Sequence, residues 1–186
     1  MKKLRFGIIG CSGIAESSTI PSILNSKYAD LEFIGSRTEK KSKEFANKFK
    51  CKKFGSYEDV LENDDVDAVY ISVPVGLHEK WSMKAAKKGK HILCEKSSTT
   101  SFSSAKNMVF ESKKNNIRLM EAFMFRFHPQ HSKVKELIKR NLLGKIYTFS
   151  GFYGFLPIPR TNIRFDKKLG GGILNDAGCY PICASR

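Results

Sequence analysis

A short apolar run, Ile92-Leu93-Cys94, ends in an acid and a base, Glu95 and Lys96. In an open parallel sheet, ligands bind just beyond the carboxyl ends of the strands, so an amine placed there can meet a bound molecule. The plainer reading is a surface lysine that opens a loop. A second stretch, Gly10-Cys11-Ser12-Gly13-Ile14-Ala15, follows the apolar run from Leu4 to Ile9. Its glycines let the backbone turn sharply, and the helix that follows offers free N–H groups to an anion. The pyrophosphate of a dinucleotide is the usual guest, and the pattern is G-x-G-x-x-A with Ser12 at the second glycine. A third stretch, Ser36-Arg37-Thr38 with Lys40 and Lys41 behind it, ends another apolar run. An acid here would meet a free ribose 2′-hydroxyl. A hydroxyl and a forked cation suit a 2′-phosphate instead, which favours NADP over NAD. Thr38 also reads as a plain cap for a helix from Glu39 to Phe49.

These residues need elements to hold them. Leu4 to Ile9 reads as a strand buried on both faces, and a helix to about Ser26, bent near Pro21, should follow. Leu31 to Gly35 reads as the second strand, and Lys52 to Phe54 as a short edge strand. Ser56 opens a helix carrying Glu58 and Asp59 in its first turn. Asp67 to Val73 is a buried strand that Pro74 stops. Leu77 to Lys88 is a helix with Leu77, Trp81 and Ala85 on one side. His78, in its first turn, reads more readily as a structural hydrogen-bonding residue than as a catalyst. His91 to Cys94 is a strand, Ser101 to Asn115 a helix and Ile117 to Met120 a strand. Strands alternating with helices specify a doubly wound, Rossmann-type α/β parallel sheet.

After Glu121 the texture changes. Ala122 to Phe127 is rich in aromatics, and Pro129 opens a basic helix to about Lys139. Lys145 to Phe155 alternates like a long strand before Pro157 and Pro159. Gly170-Gly171-Gly172 then leads into a helix from about Ile173. Residues 1–121 are therefore expected to form a dinucleotide-binding domain, and residues 122–186 the start of a second, α+β domain.

The 186 residues carry 33 Lys plus Arg against 18 Asp plus Glu, a net charge of +15. The lysines are scattered in pairs, with no zinc-finger spacing and no RNA-binding aromatic signature. A solvated basic surface accounts for them better than a nucleic-acid groove. No apolar run approaches the roughly 20 residues that cross a bilayer. The five cysteines form no close-pair framework, and Cys179 with Cys183 are too few for a structural metal site. Reduced thiols in a cytoplasmic protein are expected, with no metal.

In this order the stretches resemble the glucose–fructose oxidoreductase/inositol dehydrogenase family. The turn from Gly10 to Ala15 is similar to that family's cofactor turn. Tyr70-Ile71-Ser72-Val73-Pro74 with His78 is similar to its second signature, and Glu95-Lys96 stands at its Glu-Lys-Pro motif. Glu121 to Gln130 resembles the branch of sugar ketoreductases, dihydrodiol dehydrogenases and xylose dehydrogenases. Gly170 to Pro181 resembles the catalytic helix. The resemblance implies a nicotinamide cofactor and a sugar or nucleotide-linked ketosugar substrate.

By position it implies that Lys96 contacts the reacting oxygen and the nicotinamide ribose, that Tyr180 is the acid or base, and that Asp176 holds a substrate hydroxyl. The chemistry is consistent with these roles. Hydride addition to a ketone leaves an alkoxide, which needs a proton and a positive neighbour. A phenol beside an ammonium supplies both, the cation lowering the cost of phenolate. Asp176 and Tyr180, four apart, share a helical face. The plain alternatives are a packed aromatic for Tyr180 and an N-cap for Asp176. The candidate cofactor-binding set is Gly10, Ser12, Gly13, Ile14, Ala15, Ser36, Arg37, Lys41, Ser72, Pro74, His78, Glu95 and Lys96.

Ser12 stands where the family has a glycine, and Ser97 where it has a proline. Family members are nearly twice as long and usually form homo-oligomers. The chain is therefore expected to be a fragment of an NADP-preferring reductase or dehydrogenase. The alternative is a catalytically inactive nucleotide-binding remnant.

Overall fold

The computed structural model describes residues 2–186. Six parallel strands form one sheet: β1 (Leu4–Ile9), β2 (Ala29–Gly35), β3 (Lys53–Gly55), β4 (Ala68–Ile71), β5 (His91–Cys94) and β6 (Leu119–Glu121). Their order is β3-β2-β1-β4-β5-β6, with every neighbouring pair parallel. The order reverses between β1 and β4, so a crevice opens beyond their carboxyl ends. The expected short edge strand is β3.

The helices cover both faces. They are α1 (Ile20–Leu24), α2 (Glu39–Phe49), α3 (Tyr57–Glu62), α4 (His78–Lys87) and α5 (Phe102–Lys114). Successive strand residues point to opposite faces, and the two cores follow that alternation. Ile8, Ile34 and Tyr70 pack with Ile20, Ile23, Phe45 and Ala46, which belong to α1 and α2. Ile9, Phe33, Val69 and Ile71 pack with Val60, Trp81, Ala85 and Met108, which belong to α3, α4 and α5. Strands buried on both sides explain why their sequences read as apolar runs rather than alternating patterns.

Local signals set the helix starts. The Ser56 hydroxyl accepts from Asp59 N–H, and the Asp59 carboxylate accepts from Ser56 N–H, a reciprocal cap on α3. Thr38 stands at the N-cap of α2, but its side chain makes no capping bond; only its carbonyl takes part, accepting from Ser42 N–H at 3.2 Å. The bent helix expected to reach Ser26 is a π-helical turn, Ala15–Thr19, followed by α1. Pro21 lies in the first turn of α1, where its missing N–H is no loss.

Beyond β6, α6 (Pro129–Lys139) forms as expected. The strand expected from Lys145 to Phe155 does not: residues 145–159 have no regular structure. A strand is defined by its ladder, and no neighbouring strand offers one here. Tyr147, Phe152 and Leu156 are 81%, 99% and 85% exposed as a result. The chain closes with a π-helical turn, Leu174–Gly178, running into α7 (Cys179–Ser185). No helix among the described residues is long and apolar enough to cross a membrane.

Candidate active site

β5 delivers Glu95 and Lys96 to the crevice. Glu95 is buried, and its Oε1 accepts a 2.6 Å bond from the Tyr70 hydroxyl on β4. Its Oε2 accepts from Lys96 N–H at 3.2 Å. Burial and the adjacent Glu95 carboxylate push the Tyr70 phenol up, so its proton stays available for that bond. The Lys96–Ser97 peptide bond is cis. The Ser97 hydroxyl donates to Asn175 O at 2.7 Å, tying this turn to the helix that carries Asp176 and Tyr180.

Lys96 Nζ donates to Asp176 O at 2.6 Å and to Asp176 Oδ1 at 3.2 Å. The other carboxylate oxygen, Oδ2, accepts from Arg164 Nε at 2.6 Å. The side chains of Lys96 and Asp176 are only 16% and 18% exposed, a setting in which an ion pair is costly to break from one side. Lys96 Nζ also lies 5.1 Å from the centre of the Tyr180 ring. That ring is stacked on Tyr153 at 4.6 Å and meets Phe123 and Phe125 at 5.6 and 5.7 Å. An ammonium beside the phenol was expected to favour phenolate. Instead burial, with Tyr153, Glu95 and Asp176 adding to it, pushes the Tyr180 phenol up to about 12. The physical reason is that the Lys96 charge is already engaged by Asp176, so it compensates little of the cost of a buried phenolate.

Lys96, Asp176 and Tyr180 line a cavity of about 470 Å3, together with Ser12, Gly13, Ile14, Ser72, Pro74, His78 and Glu95. It runs through Ser12, Ser72, Val73 and Pro74 into a second groove of about 280 Å3, lined by Gly10, Ser36, Arg37 and Lys41. Gly10 has φ +111°, and a Cβ there would sit 3.0 Å from the Ser72 carbonyl carbon, so only glycine fits the turn. Ala15 is the one member of the expected set that lines neither cavity; it is fully buried among the α1 and α2 side chains. His78 is 1% exposed, and its two ring nitrogens lie 2.8 Å from Val73 O and from Ser97 O. Its ring ties the cofactor wall to the lysine turn, the structural reading of that residue.

A larger cavity, about 600 Å3, lies against Phe123, His131, Lys135, Cys179 and Cys183. It holds none of Lys96, Asp176 and Tyr180, so size alone would point away from that cluster. Sequence reasoning did not single out Arg164, Tyr153, Asn175 or Tyr57, all of which line the two site cavities. Arg164 and Tyr153 lie in stretches without hydrophobic periodicity, and only the glycine run at 170–172 hinted at a close crossing there. Among the described residues no cluster of three His, Cys, Asp or Glu could hold a metal ion.

Residues 4–123 match the oxidoreductase family with an NAD-binding Rossmann fold, and residues 131–186 match the GFO/IDH/MocA C-terminal domain. The chain is 35% identical, over 185 residues, to a dTDP-3,4-didehydro-2,6-dideoxy-alpha-D-glucose 3-reductase of Saccharopolyspora spinosa, spanning 100% of this chain and 56% of that one. It is 38% identical, over 184 residues, to a D-xylose 1-dehydrogenase (NADP(+)) of Haloferax volcanii, spanning 98% of this chain and 56% of that one. The crystal structure of KijD10, a 3-ketoreductase of Actinomadura kijaniata, in complex with NADP and TDP-benzene superposes with a TM-score of 0.94 at 36% identity. That superposition covers 99% of this chain and 57% of that one. The chain thus spans about half the length of the curated relatives it matches.

Proposed function

This chain belongs to the GFO/IDH/MocA oxidoreductase family, and on that premise we propose that it carries the cofactor site and the chemical centre of an NADP-dependent sugar reductase or dehydrogenase. The substrate class is a sugar or a nucleotide-linked ketosugar. Residues 1–121 are read as the dinucleotide-binding domain and residues 122–186 as the start of the substrate domain. The five unpaired cysteines support a reducing compartment, the cytoplasm.

One observation carries the reading. Lys96, Asp176 and Tyr180 meet in a cavity that continues into the groove of the Gly10 turn and Arg37. The residues fit a dinucleotide. The Gly10 turn has no room for a side chain, Gly13 has open space before it, and Arg37 with Lys41 stands at the far end, where a 2′-phosphate would lie. When bound, the nicotinamide supplies or accepts the hydride.

The chain's own residues do the rest. Tyr180, protonated at neutral pH, gives its proton to the oxygen of a carbonyl as that oxygen gains charge. The Lys96 ammonium stabilises the same oxygen. Asp176 accepts a bond from a neighbouring sugar hydroxyl and so fixes the ring. The aromatic wall of Phe123, Phe125 and Tyr153 holds the phenol ring in place. In the oxidative direction the same groups take the proton back.

The test has two stages. NADPH fluorescence should change on binding, and NADPH should then be consumed with a dTDP-linked 3-ketosugar or NADP+ reduced with an aldose such as xylose. Lys96→Ala should stop turnover without weakening cofactor binding. Binding without turnover on either substrate class would instead identify a nucleotide-binding remnant.

A further inference from the structure

We propose that Arg164 is a positioning residue, which holds the Asp176 carboxylate in place and neutralised so that the Lys96 ammonium is free to move to the substrate oxygen. The proposal deepens the functional reading above and rests on it. The geometry poses the problem directly. Both donor contacts of Lys96 to the helix end on Asp176, at 2.6 and 3.2 Å. Two of the three N–H donors of Lys96 are so engaged, and the ammonium brings its full charge to a substrate oxygen only when it lets the carboxylate go. Letting go leaves a largely buried carboxylate without its cation, which is the costly way to break such a pair. Arg164 removes most of that cost. Its Nε donates to the second carboxylate oxygen at 2.6 Å, so Asp176 keeps one cation when Lys96 departs. Arginine suits a partly buried pair better than lysine, because its guanidinium is more weakly hydrated than an ammonium.

The backbone is built around this pairing. Gly172 N–H donates to Arg164 O at 2.9 Å, and Asp176 N–H donates to Gly172 O at 3.0 Å. Residues 164 and 176 therefore hang from one glycine segment, and backbone bonds set their separation. A Cβ at Gly171 would lie 2.5 Å from Arg164 O, so the crossing closes only because residue 171 has no side chain. The approach of residue 164 explains Gly171, while Gly170 meets Gly76 and Gly172 has φ +133°.

A double-mutant cycle with a site-specific label tests the proposal on the whole chain. Arg164→Ala should lower kcat on the order of 10- to 100-fold, the scale of a misplaced catalytic group, with cofactor affinity unchanged. Arg164→Lys should recover part of the loss, and guards against a folding defect. In an Asp176→Asn background, Arg164→Ala should add less than about twofold, since no carboxylate remains to be held. Losses that add would mean that Arg164 acts on the substrate by itself, and would overturn the proposal. Labelling of Lys96 by an amine-selective acylating reagent, read from peptide masses without cofactor or substrate, needs no turnover. Asp176→Asn should label fastest, the unmodified chain more slowly and Arg164→Ala slowest, because Asp176 then pairs with Lys96 alone. Unchanged or faster labelling in Arg164→Ala overturns the proposal. The expected labelling order without turnover of any sugar would support Arg164's role while refuting the enzymatic reading.

Discussion

Residues 4–123 and residues 124–186 solve the folding problem differently. The first region pairs its strands internally and buries a core on each face of the sheet. The second has two α-helices, no strand, and large apolar side chains in water, from Tyr147 to Leu156. It is fastened to the first mainly around Lys96, Asp176 and Tyr180. Lys96 meets Asp176, Ser97 meets Asn175, Phe123 meets Tyr180, and Gly76 meets Gly170 backbone to backbone. The comparison teaches that the groove of the Gly10 turn and Arg37 is built mostly by the sheet region, whereas Lys96, Asp176 and Tyr180 meet only at the seam. Affinity for cofactor and capacity for turnover should therefore separate cleanly.

The largest expected effect is at the seam. Lys96→Ala or Tyr180→Phe should each lower turnover on the order of 100- to 10,000-fold, the range for a positioned proton donor and its electrostatic partner. Fluorescence titration should leave the dissociation constant for NADPH within about twofold. A parallel loss of cofactor affinity would break the distinction between the two regions.

The next effect lies in the sheet. Ile34→Ala removes a side chain with no exposed surface and should cost about 2–5 kcal/mol in urea unfolding. The matched change in the second region, Phe152→Ala, should stay within about 0.5 kcal/mol. A large loss at Phe152 would mean that its aromatic surface is covered in solution.

A smaller effect sharpens the cofactor assignment. Arg37→Ala should weaken NADP binding by roughly 10- to 100-fold, the worth of a charged hydrogen bond, and leave NAD binding almost unchanged. Equal losses would remove the 2′-phosphate from that end of the groove. The subtlest is a pH profile. With the Tyr180 phenol pushed up to about 12 from its ordinary 10, its proton stays on at pH values where a free phenol would lose it. The rate of carbonyl reduction should therefore hold through pH 10 and fall only towards 12, while the reverse oxidation should rise over the same span.

The sheet was legible because its strands are buried on both faces and punctuated by glycine, proline and caps. β1, β5, α2 and α6 begin and end where the sequence places them. The Ser56 cap and the Gly10 turn are local signals, and local signals survive folding unchanged. Other features depend on partners far along the chain. The alternation from Lys145 to Phe155 satisfies the period of a strand, yet a strand also needs a neighbour, and no sequence pattern supplies one. Thr38 has the right residue type for a cap, but its side chain makes no capping bond. The site shows the same division. Lys96, Asp176 and Tyr180 were marked by motif. Arg164 and Tyr153 reach the cavity only because the chain doubles back at the glycine run, and Ala15, marked by motif, faces the core instead.

The π-helical turn at Leu174–Gly178 carries a last consequence. Such a turn holds one residue more than an α-helix needs. Losing a single residue there would restore ordinary i→i−4 bonding at no cost in backbone hydrogen bonds. It would leave the residues downstream nearly in phase, because the wide turn absorbs the extra residue. The Tyr180 ring would stay beside Lys96, whereas the same loss from an unbulged helix would turn it away by about 100°, the angular step of one helical residue. The spare residue thus acts as slack: the helix can change length by one at this turn without re-aiming the ring of Tyr180.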